Sequence, residues 1–319
     1  MMSSSHRLLL LVLLAVSCSI LFLLLNHKAD LWFTVQFRGK KLALLIIVAI
    51  AIAVSTVVFQ AICQTTIVSP SLMGFDNLYI LVQTGIVFLL GSQTFLNLPL
   101  WLTFLLNCAV MMFLAIGLFN GFIRRHQANI HLMLLVGIVL GVLFSSTSQA
   151  MQRVISPTDF MVLQDAFFAS FANKPMEQLV FMGAIVVILC LRIYFSAAQL
   201  DLIALGRDKT ISLGVQYETK VKELLICVSA LVAVSTALVG PILFFGLLVA
   251  NLTYRMFPSA GYATLIQASG LVAVSVLVLG ETIVQHVFQF HTQLAIVIEF
   301  FGGLLFLYLV FSNAKPRGK

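Results

Sequence analysis

Polar and acidic side chains interrupt the apolar stretches of this sequence, and they limit the chemistry that it can perform. Thr56, Gln60 and Gln64 recur at intervals of four, which places three hydrogen-bonding side chains on one face of a helix. This stripe indicates either contact between helices or the lining of a polar pathway. Glu281 and Glu299 lie inside apolar runs, where a charge is costly unless it faces water or a partner. The two carboxyl groups would relay protons in a secondary transporter, whereas packing or a vestibule lining fits their position nearer the outer helix ends.

Motifs for catalysis and nucleotide binding are absent from the sequence. It contains no GxxxxGK[ST] phosphate loop, no HExxH and no GxSxG. Its five cysteines lie in apolar runs without a CxxC or Cys/His spacing, so we interpret them as small core residues rather than metal ligands. We therefore expect no enzyme activity, metal or cofactor on this chain, and we expect any energy to come from nucleotide bound elsewhere.

The composition is that of an integral membrane protein. Of 319 residues, 61% are hydrophobic and 9% are charged, and the mean hydropathy is +1.11. Apolar runs of about twenty residues, enough to cross a hydrocarbon layer of about 30 Å, recur along the chain. They do not alternate as the strands of a membrane barrel do. We therefore predict an all-α, polytopic membrane protein, with residues 1–319 in a single domain.

Ten crossings are predicted from the apolar runs. The first run is too long for the core of a signal peptide, which is the alternative for it. A continuous run over 224–250 is broken at Gly240-Pro241, because proline cannot donate the helical hydrogen bond, and so gives a seventh span and a short eighth. An amphipathic helix at 157–172, with Phe160, Leu163 and Phe171 on one side, fits the membrane interface. The other predicted spans are 8–26, 42–64, 78–91, 98–119, 130–150, 179–197, 264–284 and 294–311.

The basic residues predict the orientation. The net charge is +7, and the Lys and Arg residues sit singly or in small groups at the ends of apolar runs. This pattern sets topology rather than indicating nucleic acid, because cytoplasmic loops carry the excess of Lys and Arg. In a ten-span chain, both termini and the central connector lie on the same side, and that side holds the larger number of Lys and Arg residues. We therefore predict that both termini and the connector are cytoplasmic.

The central connector, LDLIALGRDKTISLG at 200–214, has an internal design. Leu200, Ile203 and Leu205 alternate with polar positions, and a second short turn at 210–213 follows. Gly206 and Gly214 stand where each turn stops, and glycine leaves a helix through a left-handed conformation without steric cost. The pattern predicts a pair of very short helices on the membrane surface.

The connector resembles the cytoplasmic coupling segment, LxLGxxxAxxLG, of FecCD-like permeases, which belong to type II ATP-binding cassette (ABC) importers for iron-siderophores, haem and cobalamin. Downstream, GPILFFGLLVAN at 240–251 is similar to that family's GPIGFIGLVVPH, with Ala250-Asn251 in place of Pro-His. Gln60 matches a family glutamine, SPSLMG at 69–74 stands near a family proline and LLG, and EFFGGLLFLYLV at 299–310 looks like the last span. The ordered set covers nearly the whole chain.

The resemblance implies roles for three groups of residues. A cytoplasmic ABC ATPase dimer, which would hold ATP and magnesium, is expected to bind the coupling segment at about 198–222, through Leu202, Leu205, Gly206, Arg207, Leu213 and Gly214. A periplasmic siderophore-binding protein is expected to dock on Arg38, Lys40, Lys41, Gln285 and His286, although snorkelling anchors are the alternative for the three cations. A pathway enclosed with a second permease, either a copy or a related paralogue, is expected to involve Thr56, Gln60, Gln64, Ser69, Pro70, Gly74, Gly240 and Pro241.

The substrate follows from a narrower resemblance. SPSLMGFDNLY at 69–79 is similar to the branch that handles catecholate or mixed-type ferric siderophores. We therefore expect a ferric-siderophore permease in the bacterial inner membrane. A cobalamin or haem importer permease is the alternative within the family, and a proton-coupled secondary transporter is the alternative outside it.

Overall fold

A computed structural model of the protein describes residues 4–25, 31–125, 130–171, 174–286 and 293–313. The described residues are helical apart from short connections and contain no strand, which confirms the all-α prediction. Lys28 and the basic tail at 315–319, which the topology prediction counted, lie outside the described residues, as does His126. The helices in chain order are α1 (Ser4–Leu24), α2 (Leu31–Cys63), α3 (Phe75–Asn97), α4 (Leu100–Arg125), α5 (Ile130–Gln152), α6 (Pro157–Phe167), α7 (Met176–Phe195), α8 (Ala197–Ile203), α9 (Arg207–Ser212), α10 (Tyr217–Val239), α11 (Phe245–Met256), α12 (Tyr262–His286) and α13 (Leu294–Asn313).

Eight helices in the described chain are long and apolar enough to cross a membrane: α1, α2, α3, α4, α5, α7, α10 and α12. In α2, α10 and α12, 67%, 72% and 61% of the most apolar window is buried, against 22–28% in the other five. These three helices therefore form the centre of the bundle, and the others surround it. The other two predicted crossings fall on α11, which has only 12 residues, and on α13, whose apolar part is the shorter Leu294–Tyr308, so the count of ten crossings stays a prediction.

The predicted break at Gly240-Pro241 is confirmed. Helix α10 ends at Val239, and α11 begins only at Phe245. Gly240 has a φ of +101°, and a Cβ there would lie 3.2 Å from the Cα of Ala169. The backbone N–H of Ser170 also donates to the Val239 carbonyl at 2.7 Å. The chain after α6 therefore packs on the break and satisfies a carbonyl that the interrupted helix leaves free.

Helix α3 is longer than the predicted run at 78–91. It begins at Phe75 and continues past Gly91 to Asn97, with a kink at Gly91, where φ is +78°. Beyond the kink, the Ser92 backbone N–H donates to Asp159 Oδ1 of α6 at 3.2 Å. The Ser156 hydroxyl donates to Asp159 Oδ2 at 2.7 Å and accepts from the Asp159 N–H. Hydrogen bonds from the Ser92 side chain, then from the Ser156 hydroxyl and the Ser92 backbone N–H, lower the pKa of the Asp159 carboxyl below its ordinary value.

The short helix α6 confirms the amphipathic prediction for this region. Leu163 and, just beyond the helix, Phe171 are buried, and α6 packs against α3. A Ser-Pro start provides an N-cap and a preset helical φ at the first turn. At 11 residues, this helix is too short to span the membrane.

Candidate coupling site and polar clusters

The connector folds as the predicted pair of short helices. The first, α8, starts at Ala197 rather than at Leu200, and the second, α9, starts at Arg207 rather than at Thr210. Residues 217–222, at the end of the predicted coupling segment, belong instead to the spanning helix α10. The connector is therefore shorter than predicted, and it joins α7 to α10 with almost no loop.

Helix α8 is fixed to the centre of the bundle. Leu200 and Ile203 are fully buried, and α8 packs against α2 and α12. The backbone N–H of Tyr262, at the start of α12, donates to Asp201 Oδ1 at 2.8 Å. A force on α8 would therefore reach two of the three central helices directly.

Glycines shape the turn between the short helices, as the sequence predicted. Gly206 has φ +105° and ψ 159°, a region that is essentially restricted to glycine, and Gly214 has φ +82°. The buried Thr210 hydroxyl lies 2.7 Å from the carbonyl oxygens of both Leu202 and Gly206. Because one side chain bonds to both α8 and the turn, the helix pair is held as one unit.

Three apolar side chains of the connector face away from the protein. Leu205, Ile211 and Leu213 are 52%, 48% and 58% exposed, and we call them the connector patch. Arg207 pairs with Glu218 at 3.2 Å beside this patch. Exposed apolar side chains grouped on a short polar connector have the composition of a protein-contact surface.

Gln64 contacts the connector, whereas the sequence predicted it on one face of α2 with Thr56 and Gln60. Helix α2 ends at Cys63, and Gln64 takes a left-handed φ of +53°. Its Nε2 approaches the Ile203 carbonyl at 3.4 Å and would lie 3.3 Å from a Cβ at Gly206. The side chain therefore joins the end of α2 to the connector, and the structure does not place it on one face with Thr56 and Gln60.

Thr56 and Gln60 lie between α2 and α11. Thr56 is buried, and a Cβ on Gly246 would come within 2.1 Å of its hydroxyl oxygen, so glycine is required for the two helices to approach. Gln60 Nε2 and Asn251 Nδ2 both donate to the Thr66 carbonyl, at 3.0 and 3.1 Å. Within this subunit Thr56 and Gln60 therefore form a contact between helices, which was one of the two predicted alternatives. Their part in a pathway stays a prediction.

The predicted breaker segment after α2 forms a short 3-10 helix, Pro70–Met73, which ends at Gly74. Gly74 has φ +88°, and its Cβ would lie 2.5 Å from the Cα of Gly141 on α5. The two glycines therefore let α5 approach the start of α3. Ser69 and Asp76 on either side are buried.

The predicted docking residues make bonds within the protein. Arg38 Nη1 donates to the carbonyls of Leu25 at 2.6 Å and Phe22 at 3.2 Å, which end α1. Lys41 forms an ion pair with Glu281 of α12. Lys40 is half-buried on the same helix.

Glu281 also orders the predicted docking residues on α12. Its Oε1 accepts from Gln285 Nε2 at 2.8 Å, and His286 Nδ1 lies 2.9 Å from the Thr282 carbonyl. The structure thus brings Lys41 and Gln285 together around one buried carboxylate. Sequence reasoning missed the Lys41–Glu281 pair because its members are 240 positions apart, and the docking role of Lys41 and Gln285 stays a prediction.

The last turns of helix α5 carry exposed polar side chains. Ser148 is buried and bonds to Thr84 of α3 at 2.8 Å, whereas Ser146, Thr147 and Gln149 are exposed on the outside of the subunit. Exposed polar groups within a spanning helix are costly in lipid. This side of α5 therefore fits contact with another protein chain or with water.

The fold is a bundle of apolar helices whose central connector forms a fixed pair of short helices, an arrangement that fits a permease. The model of the FecCD transport family matches residues 6–312, so the chain belongs to this family, whose members are the permease components of ABC importers, with ATP hydrolysis on a separate subunit.

Individual relatives support the same class. The chain is 38% identical over 315 residues to the petrobactin import system permease protein YclO of Bacillus subtilis (strain 168), covering 98% of this chain and 99% of the relative. It is 32% identical over 276 residues to the petrobactin import system permease protein FatC of Bacillus anthracis, covering 86% and 78%. A solved inward-facing ABC transporter of the metal-chelate type shares the fold, with a TM-score of 0.82 at 20% identity, over 97% of this chain and 99% of that chain.

Proposed function

We propose that this chain is the permease subunit of an importer for ferric catecholate siderophores in the bacterial inner membrane. The observation that carries the proposal is the full-length similarity to two permeases named for petrobactin import, because petrobactin is a catecholate siderophore. It agrees with the resemblance of SPSLMGFDNLY at 69–79 to the branch that handles catecholate or mixed-type ferric siderophores.

The connector is the proposed contact with the ATPase dimer, which binds ATP and magnesium. Leu205 and Leu213 would enter the ATPase surface, while Leu200 and Ile203 hold α8 on the bundle. Gly206 and Gly214 give the helix pair its shape. Closure of the ATPase would then move α8 and, through Asp201 and Gln64, the central helices α12 and α2. This arrangement requires the connector and both termini to be cytoplasmic.

The polar outside of α5 is the proposed lining of the pathway, shared with a second permease that is a copy or a paralogue. The ferric complex is large and polar, and one subunit's buried stripe at Thr56 and Gln60 leaves it no passage. Ser146, Thr147 and Gln149, by contrast, face outward at membrane depth. Two such surfaces facing each other would enclose a hydrated channel.

A periplasmic siderophore-binding protein is the proposed partner at the opposite end. Lys40 and Arg38 lie there, beside the Lys41 to Glu281 pair. Because Arg38 and Lys41 already have acceptors within this subunit, we assign the electrostatic contact chiefly to Lys40, with Gln285 and His286 as polar neighbours. Lipid surrounds the rest of the bundle.

Cobalamin is the second candidate substrate, favoured by 27% identity over 298 residues to the vitamin B12 import system permease protein BtuC of Klebsiella pneumoniae. The experiment that separates the two is uptake into a deletion strain complemented with this chain and its ATPase. We expect uptake of radiolabelled iron delivered as a catecholate complex and no uptake of labelled cobalamin. Uptake of cobalamin, or equal growth on hydroxamate complexes alone, would contradict the proposal.

A further inference from the structure

A deep apolar groove lies between three spanning helices, outside the coupling site and the pathway. Its cavity measures about 590 Å³. The walls come from Ile47 and Ile50 of α2, Gly183 and Val187 of α7, and Gly270 and Leu271 of α12. Val187 is 57% exposed, so the groove opens to the outside of the subunit. We call this cavity the leaflet groove.

The length of the leaflet groove matches one membrane leaflet. Along α7 it runs from Gly183 to Tyr194, a rise of about 16 Å for a helix, and half of a hydrocarbon layer is about 15 Å. Tyr194 stands one turn before the connector, so the groove occupies the half of the membrane on the connector side. An acyl chain from that leaflet would fill it from end to end.

The two ends of the leaflet groove differ in polarity. Near the connector, Tyr194 and the exposed Gln267 line it, and the rest of the wall is apolar. At the same level, Glu223 is shared by two cations: Arg192 pairs with one carboxylate oxygen, and Lys220 with the other at 3.1 Å. Two cations around one carboxylate leave a net positive charge, which suits a phosphate group.

The surrounding surface identifies the occupant as lipid rather than a second permease. The exposed side chains of α7 around the groove, which include Val187, Ile188 and Leu191, are apolar and 51–65% exposed. The last turns of α5, by contrast, expose the polar side chains of Ser146, Thr147 and Gln149. Lipid tails wet the first kind of surface and are expelled from the second. A protein partner is therefore expected at α5 and not here.

We propose that the leaflet groove binds one glycerophospholipid of the connector-side leaflet, with an acyl chain between α2, α7 and α12 and its phosphate near Arg192 and Lys220. The same three helices pack against α8. The bound chain would thus fill the space beside the element that takes the load, and its loss would let α7 and α12 approach each other. The proposed orientation decides only whether this leaflet is called the cytoplasmic one.

The test is native mass spectrometry of the assembled transporter, released from nanodiscs made of phosphatidylglycerol and phosphatidylethanolamine. A Cβ on Gly270 would meet only Ile50, at 3.8 Å, so Gly270→Leu is tolerated by the backbone and places its side chain in the groove. Gly117→Leu, at an exposed position of α4 where a Cβ meets nothing within 4 Å, is the matched control. We expect wild type and Gly117→Leu to retain one phospholipid per permease.

Displacing each methylene of the chain weakens binding roughly fourfold, so Gly270→Leu is expected to lower retention more than tenfold. A photoreactive phenylalanine analogue in place of Leu191, in otherwise unchanged protein, is expected to crosslink to phospholipid. Equal retention in all three proteins would overturn the proposal, as would a crosslink from position 191 to a second permease. Neither readout depends on transport, so a wrong substrate assignment would leave this result unchanged.

Discussion

Truncation of Leu205 tests how strongly the connector patch contributes to binding of the ATPase. Burying a whole leucine side chain stabilises an association by about 1.5–3 kcal/mol. Leu205 is 52% exposed, so burying this exposed half under the ATPase contributes about 1 kcal/mol to binding. Leu205→Ala should therefore weaken ATPase binding roughly fivefold. Ile211 and Leu213 are exposed to a similar extent, so the triple alanine variant should lose about 3 kcal/mol, or roughly 150-fold.

The charged variant Leu205→Asp should have a larger effect than Leu205→Ala, since burial of a carboxylate without a partner is far more costly. The assay is binding of the purified ATPase to permease in nanodiscs, followed by siderophore-stimulated ATP hydrolysis and uptake in proteoliposomes. Leu205→Met, which keeps the apolar surface, is the control and should behave as wild type. The reasoning is refuted if Leu205→Asp, inserted in the membrane at normal levels, binds the ATPase and takes up substrate as wild type does.

Three further perturbations test separate parts of the structure. Gly206→Ala forces a side chain into a glycine-only conformation at a cost of about 1–3 kcal/mol, so uptake per ATP hydrolysed should fall, while Gly117→Ala leaves this ratio unchanged. Lys41→Gln leaves Glu281 buried without its cation and should lower the free energy of unfolding in detergent by about 3–5 kcal/mol. Adding Glu281→Gln should recover most of that loss. If stability does not recover, the loss of the ion pair is not its cause. Because the pKa of Asp159 is lowered in the folded protein, its carboxylate stabilises α6 fully above the unfolded pKa, and this contribution is lost as the pH falls through the folded pKa. The rate of hydrogen exchange in α6 should therefore rise in acid. Asp159→Asn should abolish that pH dependence.

Docking of the binding protein gives a fifth prediction. Arg38→Glu with Lys41→Glu should weaken its affinity, more so at low salt, because exposed charges are screened within about 10 Å at 0.1 M ionic strength. Lys40→Glu alone should weaken the affinity more than that double variant, since Arg38 and Lys41 already bond within the subunit. Titration calorimetry at two salt concentrations measures both, and unchanged affinity in Lys40→Glu would remove the docking assignment.

Local chemistry was the part of this fold that the sequence predicted well. Gly240-Pro241 breaks a helix wherever it occurs, and the structure ends α10 one residue before it. Gly206 and Gly214 likewise marked turns that need positive φ. Hydrophobic length predicted the spanning helices, but not the continuation of α3 beyond Gly91, because a kinked helix resumes only when its neighbours hold it.

Contacts between distant segments were not predictable from the sequence. The stripe of Thr56, Gln60 and Gln64 assumed a continuous helix, and the helix stops one residue before Gln64. Periodicity gave the face of Thr56 and Gln60 correctly, but it did not show that α11 covers that face through Gly246. In the same way, nothing local to Lys41 indicates that it pairs with Glu281.

Site-specific crosslinking from the connector patch tests the central claim most directly. A photoreactive residue at Leu213, which is 58% exposed, should crosslink to the ATPase subunit when illuminated in intact membranes. The yield should change between the nucleotide-free and ATP-bound transporter. A position 213 that crosslinks to no ATPase, and that a membrane-impermeant reagent labels from outside intact cells, would contradict the account.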